Sequence, residues 1–296
     1  MENSTNYCFL NYDVGEHLIE VCGARVSICE GRVRVLSQPK VRYCPVYLKI
    51  HGYEKINRKK VKEIVVKQVQ DGLYTEKRVL FGDFLITFGA SEILSVALES
   101  KLIDCCVIVC EGAGTVIVND PKLVQGIGAR LTGILKTSPI PEIMDRLQKV
   151  GTTIIGNDAP INQVEGVKKA IKLGYRRVAV TVAGFESGII PMLRNIENEE
   201  EVTLYILSVH NVGLRDVQVP NLLLSDLVWA CSSNVVRKKI GPKALMQIGS
   251  SIPVFALSEK GKAMALNYLM KIKAPILVTR NELPKLSTEN YPYPLT

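Results

Sequence analysis

From Gly82 onward the sequence alternates short apolar runs, rich in β-branched residues, with segments of helical periodicity. The runs with the length of buried strands are 105–110, 152–155, 178–182, 204–209, 227–230, 253–257 and 275–278. The helical patterns between them are 91–101, 141–150, 164–173, 187–197, 234–248 and 260–272. Continuous apolar strands that are each followed by a helix are typical of a parallel sheet covered on both faces. The pattern therefore predicts an α/β fold with an open, mostly parallel, Rossmann-like sheet over residues 82–280.

Residues 1–81 have a different pattern of apolar runs, which predicts a small N-terminal α+β unit. Short β-like runs lie at 18–21, 25–28, 32–36 and 46–50. Residues 24–36 predict a hairpin that turns at Glu30 and Gly31, and a basic amphipathic helix follows. At the other end, residues 281–296 contain three prolines and predict an extended C-terminal tail.

Basic residues exceed acidic ones, with 37 Lys and Arg against 29 Asp and Glu, so the formal net charge is +8. Such an excess favours anionic partners, including phosphates, acidic coenzymes and nucleic acid. The densest basic patch, 55–62, overlaps an apolar helical stripe and predicts a solvated helix face. Nucleic-acid binding is disfavoured because no aromatic residue lies inside this patch to stack on bases.

The N-terminal residues lack the basic and apolar regions of a signal peptide, and no stretch approaches the ~18 apolar residues of a membrane span. We therefore expect a cytoplasmic protein without a membrane partner. In a reducing cytosol its eight cysteines are free thiols, metal ligands or reactive groups rather than disulfides. The spacing of Cys22, Cys29 and Cys44, with His17 and His51 nearby, supports a metal site only weakly against separate buried thiols.

Polar residues follow several of the predicted strands where each strand ends. In open α/β sheets ligands bind at the carboxyl ends of the strands. Cys110, Glu111, His210 and Cys231 stand at such ends and are the candidate catalytic residues, with Ser232 as a candidate ligand-binding residue. Two thiols, a carboxylate and an imidazole suit acid/base work, thiol chemistry or a soft metal. For Cys110 an ordinary packing role in an apolar strand is an equal alternative.

Two glycine-containing segments predict contact with an anion, because bare backbone N–H groups approach phosphates and carboxylates closely. The candidate ligand-binding residues there are Gly112, Gly114, Gly126, Gly128 and Arg130. Neither segment is a dinucleotide fingerprint, since position 131 is leucine and no predicted strand immediately precedes 125–133. A simple flexible loop is the alternative for the second segment.

Seven short motifs together resemble the methanogenesis marker protein 8 family, whose members are uncharacterised archaeal proteins. The motifs lie at 20–25, 42–45, 88–94, 109–115, 125–128, 137–140 and 255–257. The resemblance runs from about Glu16 to Val278, which is nearly the whole chain. It implies a cytoplasmic protein of methanogens that is tied to methanogenesis, and it carries no established activity or catalytic residue.

A second similarity covers about twenty residues, from Ser91 through Asp104 to the following strand. This stretch resembles the β-subunit of deazaflavin-reducing hydrogenases, which bind flavin and the deazaflavin coenzyme. Ser91 and Glu92 begin it and are candidate ligand-binding residues. The iron–sulfur cysteine pattern of those proteins is missing here.

Together these features favour a protein that binds an anionic small molecule or coenzyme, as an enzyme or a maturation factor. The alternative is a non-catalytic assembly partner of methyl-coenzyme M reductase or its activating machinery. A flavin- or deazaflavin-linked redox protein is a weaker alternative. Cofactor, metal and oligomeric state are left open by the sequence.

Overall fold

The computed structural model describes residues 15–83, 85–130 and 132–296. Its strands are β1 (His17–Val21), β2 (Ala24–Cys29), β3 (Arg32–Val35), β4 (Cys105–Cys110), β5 (Gly114–Val118), β6 (Gly133–Thr137), β7 (Thr153–Ile154), β8 (Arg177–Ala183), β9 (Thr203–Val209), β10 (Leu227–Trp229), β11 (Met246–Ile248) and β12 (Val254–Ala256). Its α-helices are α1 (Pro45–His51), α2 (Arg58–Gln70), α3 (Ala90–Glu99), α4 (Pro121–Gly128), α5 (Pro141–Lys149), α6 (Gln163–Lys172), α7 (Ile190–Glu199), α8 (Val219–Leu222) and α9 (Glu259–Leu269). These strands form one sheet of eight and one of four.

The eight-stranded sheet has the order β11-β12-β10-β9-β8-β4-β5-β7. Its four central strands, β10, β9, β8 and β4, are parallel to one another. Two antiparallel strands flank them on each side. The predicted α/β class is thus confirmed in the form of a mixed sheet with a parallel centre. The parallel strands coincide with four of the continuous apolar runs of the sequence, whereas the runs at 152–155 and 253–257 contain the antiparallel strands β7 and β12.

Helices cover both faces of this sheet, as the apolar strands require. One core cluster joins the sheet to buried residues of α3, α4, α5 and α9. The cluster on the opposite face includes residues of α6, α7 and α8. Within the described ranges, no helix is long and apolar enough to cross a membrane.

The four-stranded sheet has the order β3-β2-β1-β6 and is antiparallel throughout. The predicted hairpin at 24–36 is confirmed by the register of β2 and β3. Helix α2 packs its buried stripe of Val61, Ile64, Val65 and Val69 on this sheet. The fourth strand, β6, comes from beyond residue 81, so the chain returns to the N-terminal unit after building β4 and β5. The division into domains at residue 81 stays a prediction.

Three sequence-based expectations for local structure are wrong. Residues 46–50 belong to helix α1, because Pro45 fits the first helical turn and Gly52 ends the helix in the left-handed conformation. The expected helix at 234–248 is a π turn, a short 3₁₀ segment and strand β11, since Pro242 lacks the N–H that a longer helix needs. Residues 275–278 form no strand, and Leu277 is 88% exposed.

Candidate functional site

A cavity of about 420 Å³ lies where the small sheet meets the carboxyl ends of β4, β8, β9 and β10. The wall also includes the start of α3, the end of α4 and the residues that begin α6. Of the residues singled out from the sequence, those on the wall are Ser91, Glu92, Glu111, Gly128, Arg130, His210, Cys231 and Ser232. The carboxyl ends of the parallel strands thus bring together side chains that are far apart in sequence.

Four of the candidate residues, Cys110, Gly112, Gly114 and Gly126, lie away from the cavity wall. The Cys110 side chain is fully buried in the core between the sheet and its helices, with Sγ 3.4 Å from the Glu111 carbonyl oxygen. Burial raises the pKa of this thiol, so it stays protonated at neutral pH. The structure therefore gives Cys110 the packing role rather than the catalytic one.

Gly112 and Gly114, in the β4–β5 hairpin, lie close to other segments of the protein. The Gly112 N–H donates to Thr137 Oγ1 at 2.8 Å, and a Cβ on Gly114 would lie 2.3 Å from the Ala159 carbonyl carbon. Gly114 also has a φ of +70°. The Gly112 N–H is therefore already hydrogen-bonded within the protein, and anion contact at Gly112 and Gly114 stays a prediction.

Glu111 is the residue of the hairpin that does reach the cavity, and its charge is already neutralised. Its carboxylate forms an ion pair with Arg78 Nε, and the exposed side-chain fractions are 0% for Arg78 and 3% for Glu111. Arg78 also donates to the carbonyl oxygens of Val79 and Gly126. No local sequence pattern indicates the role of Arg78, because this residue lies in an irregular segment 33 positions before its partner Glu111.

Arg130 lies on the cavity wall and is only partly satisfied. Its Nε is buried without a hydrogen-bond partner, while Nη1 contacts the Ala129 carbonyl oxygen at 3.4 Å. Burial, and then the neighbouring charge of Arg78, lower the pKa of Arg130. Because Glu111 is held by Arg78, this part of the wall carries an excess of positive charge.

Ser91 and Glu92 stabilise the cavity wall rather than offering free groups to a ligand. Glu92 is fully buried, and its Oε1 accepts from the N–H groups of Leu85 and Ile86, each at 3.0 Å, and from Gln125 at 2.9 Å. Its Oε2 accepts from Ser91 Oγ at 2.9 Å. This carboxylate therefore ties the segment before α3 to the helix start. Both residues line the cavity, and ligand contact at Ser91 and Glu92 stays a prediction.

His210 and Cys231 follow β9 and β10 and face residues of the small sheet. His210 Nδ1 lies 3.6 Å from Glu20 Oε2, and both residues line the cavity. Cys231 lines the same cavity as Glu20, Cys22 and Cys44. Glu20, Cys22 and Cys44 are thus cavity residues for which the sequence offered only the weak thiol spacing as a signal.

Burial keeps the three cavity thiols protonated. It raises the pKa of Cys231 to about 12, and it also raises the pKa values of Cys22 and Cys44. Among the residues that the structure describes, no group of three His, Cys, Asp or Glu has the arrangement of a metal site. Cys29, the third thiol of the predicted N-terminal spacing, lies elsewhere beside Glu16.

Ser232 connects the cavity wall to the C-terminal tail. Its carbonyl oxygen accepts from the Thr296 N–H at 2.8 Å, and Pro292 of the tail also lines the cavity. Further along, Tyr43 pairs with Tyr293 as a bridge and their rings stack. The tail therefore connects the segment before α1 with the residues that follow β10, and it contributes to the wall.

His17 is buried outside the cavity wall and makes the free energy of unfolding depend on pH. Burial lowers its pKa from 6.5 to about 4, and Glu111 opposes that shift in part. Between these values the unfolded chain binds the proton and the folded one does not, so the free energy of unfolding rises with pH. We expect His17→Gln to flatten the stability curve between pH 4 and 6.5 by up to about 3 kcal/mol. Urea unfolding of His17→Gln and of the wild type across this range measures the two pH slopes, and equal slopes would contradict the prediction.

Two comparisons with known proteins place the chain among archaeal proteins. The model of a family described as "Uncharacterized protein conserved in archaea (DUF2099)" matches residues 17–270. An uncharacterised protein of Methanocaldococcus jannaschii is 40% identical over 283 residues, which cover 94% of this chain and 99% of that protein.

Proposed function

The chain belongs to this archaeal family, and we propose that it binds an anionic small molecule or coenzyme in the cavity, as an enzyme or a maturation factor. The ligand has an anionic group that pairs with Arg130 and an apolar body. The resemblance to methanogenesis marker protein 8 supports a role in methanogenesis, and we propose a cytoplasmic location on the same basis.

The observation that carries the proposal is the state of Arg130. A guanidinium group whose Nε is buried without a hydrogen-bond partner is unfavourable, because burying a polar group without a partner costs free energy. An incoming carboxylate, phosphate or sulfonate would supply the missing acceptors and balance the charge. Arginine forms planar, bidentate hydrogen bonds with such groups.

The rest of the wall supports a ligand that is apolar beyond its anionic group. Side chains such as Ile108, Ile127, Ile134 and Trp229 line the cavity next to the few polar groups. A volume of about 420 Å³ lies within the range of small-molecule sites. The position at the carboxyl ends of parallel strands is the one that ligands take in Rossmann-like sheets.

We expect Arg130→Met to weaken anion binding by about tenfold or more, since a charge-assisted hydrogen bond contributes roughly 1.5–3 kcal/mol. The measurement is thermal unfolding with a panel of alkyl and aryl carboxylates, phosphates and sulfonates, followed by calorimetry on those that stabilise. Without ligand, Arg130→Met should unfold at the same temperature as the wild type or higher, because a half-buried guanidinium whose Nε has no hydrogen-bond partner is removed.

The matched control is Arg176→Met, which removes an exposed guanidinium at the amino end of β8, away from the cavity. That variant should bind the stabilising anion like the wild type. Equal affinity in Arg130→Met and Arg176→Met would contradict the proposal. So would the lack of binding by any anion of the panel, which would favour the non-catalytic assembly role instead.

A further inference from the structure

We propose that Glu20 and His210 form a proton-transfer pair, with His210 as the general base and acid that acts on the bound ligand. This inference rests on the proposed function, because it assigns a reaction class to the same cavity. Glu20 is the positioning residue, and His210 is the catalytic residue. The ligand class is then an anion whose apolar body carries an ionisable X–H group at the Glu20–His210 end.

The two carboxylate oxygens of Glu20 contact different partners. Glu20 Oε1 accepts from the N–H of Gly23, which leaves Oε2 directed to His210 Nδ1 at 3.6 Å. The side chains retain exposed fractions of 15% for Glu20 and 27% for His210, so both reach the cavity. Hydrogen bonds of catalytic groups are often long before the substrate binds.

The backbone around His210 is strained, which the surrounding structure has to maintain. His210 has a φ of +53°, and Cys22 and Cys231, which line the same cavity, have φ values of +52° and +46°. Residues other than glycine rarely adopt this conformation, and such strain is concentrated at functional sites. For Cys22 this is the conformation of the two-residue turn with Gly23 between β1 and β2, so His210 and Cys231 are the two strained residues that follow strand ends on the cavity wall.

Buried hydrogen bonds hold His210 and Cys231 in these conformations. Asn211 is fully buried and donates to the carbonyl oxygens of Ser208 at 3.1 Å and Trp229 at 2.8 Å. It thereby ties together the ends of β9 and β10 on either side of the strained residues. Arg237 donates to the Cys231 carbonyl oxygen at 2.8 Å. The wall that presents His210 is therefore rigid, as a positioned base requires.

The chemistry follows from which ring nitrogen carries the proton. When Nδ1 carries the proton and directs it to Glu20 Oε2, the lone pair of Nε2 is free to accept the proton of a ligand X–H group. The X–H bonding electrons stay on X, and the negative charge of Glu20 stabilises the imidazolium that forms. Return of the proton to another ligand atom completes the cycle without any oxidant. The nearby thiols of Cys22, Cys44 and Cys231 are protonated and do not compete as bases.

The test is the tautomer of His210 in protein labelled with ¹⁵N-histidine. The chain has three histidines, so His17→Gln and His51→Gln assign the signals. We expect neutral His210 to carry its proton on Nδ1, and to shift toward the ordinary Nε2–H form in Glu20→Gln. Acylation of Nε2 by diethylpyrocarbonate should also slow severalfold in Glu20→Gln. Glu186→Gln, which changes another carboxylate on the cavity wall, is the control and should leave both readouts unchanged.

An Nε2–H tautomer in the wild type would overturn the proposal, as would an unchanged tautomer in Glu20→Gln. If Glu20→Gln fails to fold, Glu20→Asp gives the same comparison with the carboxylate withdrawn by one methylene. Both readouts are taken without ligand. The proton-transfer pair can therefore fail while anion binding at Arg130 stands, and anion binding can fail while the tautomer is as expected.

Discussion

Arg78→Met lowers the free energy of unfolding by about 3–5 kcal/mol, which is the loss expected when one partner of a buried ion pair is removed. The guanidinium is fully buried and binds the Glu111 carboxylate together with the carbonyl oxygens of Val79 and Gly126. Without it, a carboxylate with an exposed side-chain fraction of 3% has lost its counter-charge. Urea unfolding at pH 7 measures the loss.

The double variant Arg78→Met, Glu111→Leu should recover part of that loss. Two apolar side chains leave no buried charge without a partner, and such replacements are often neutral. The control is Lys239→Met, which breaks the exposed ion pair with Asp216 and should change stability by less than about 1 kcal/mol. A loss in Arg78→Met no larger than that in Lys239→Met would contradict the prediction, and so would strictly additive losses in the double variant.

The parallel centre of the large sheet could be predicted because its strands are buried on both faces. Burial on both faces makes a strand such as β8 or β9 a continuous apolar run, which the sequence shows directly. Strands β6 and β11 could not be predicted in this way. Strand β6 is short and partly exposed, and it pairs with β1, which lies more than 100 positions earlier along the chain.

For the cavity, the sequence predicted the half of the wall that consists of strand ends. His210, Cys231 and Glu111 follow apolar runs, and a parallel sheet has to bring such ends to one edge. The other half was missed because Glu20, Cys22 and Cys44 come from the small sheet and its surroundings. How two sheets pack against each other is decided by tertiary contacts that no local periodicity records.

The role of each glycine was the hardest feature to predict from the sequence, because glycine occurs both where backbones pack closely and where the backbone contacts an anion. Gly128 reaches the cavity wall, whereas Gly126, two positions earlier on α4, faces the opposite way. A Cβ on Gly126 would lie 1.9 Å from the Leu80 carbonyl oxygen and 2.4 Å from the Leu80 carbonyl carbon. Helix α4 therefore lies directly on the backbone at Leu80 and Phe81. This close approach also lets Arg78 reach the Gly126 carbonyl oxygen at 2.8 Å.

Gly126→Ala is accordingly expected to prevent folding or to destabilise the protein by at least about 4 kcal/mol, a size reserved for defects such as severe overpacking. The obstacle is backbone, which no side-chain rotation relieves, and moving α4 also breaks the hydrogen bond that holds Arg78. The measurement is the yield of folded protein, followed by urea unfolding of whatever folds, without ligand.

Gly188→Ala is the matched control, because a Cβ there meets nothing within 4 Å and the backbone lies outside the left-handed region. It should leave stability unchanged or raise it by about 0.4–1 kcal/mol, since alanine restricts the unfolded chain. If Gly126→Ala instead unfolds like Gly188→Ala but loses affinity for the anions that Arg130 binds, then Gly126 serves ligand contact, as its sequence motif first indicated. A loss of folding with no ligand present assigns Gly126 to the packing of α4.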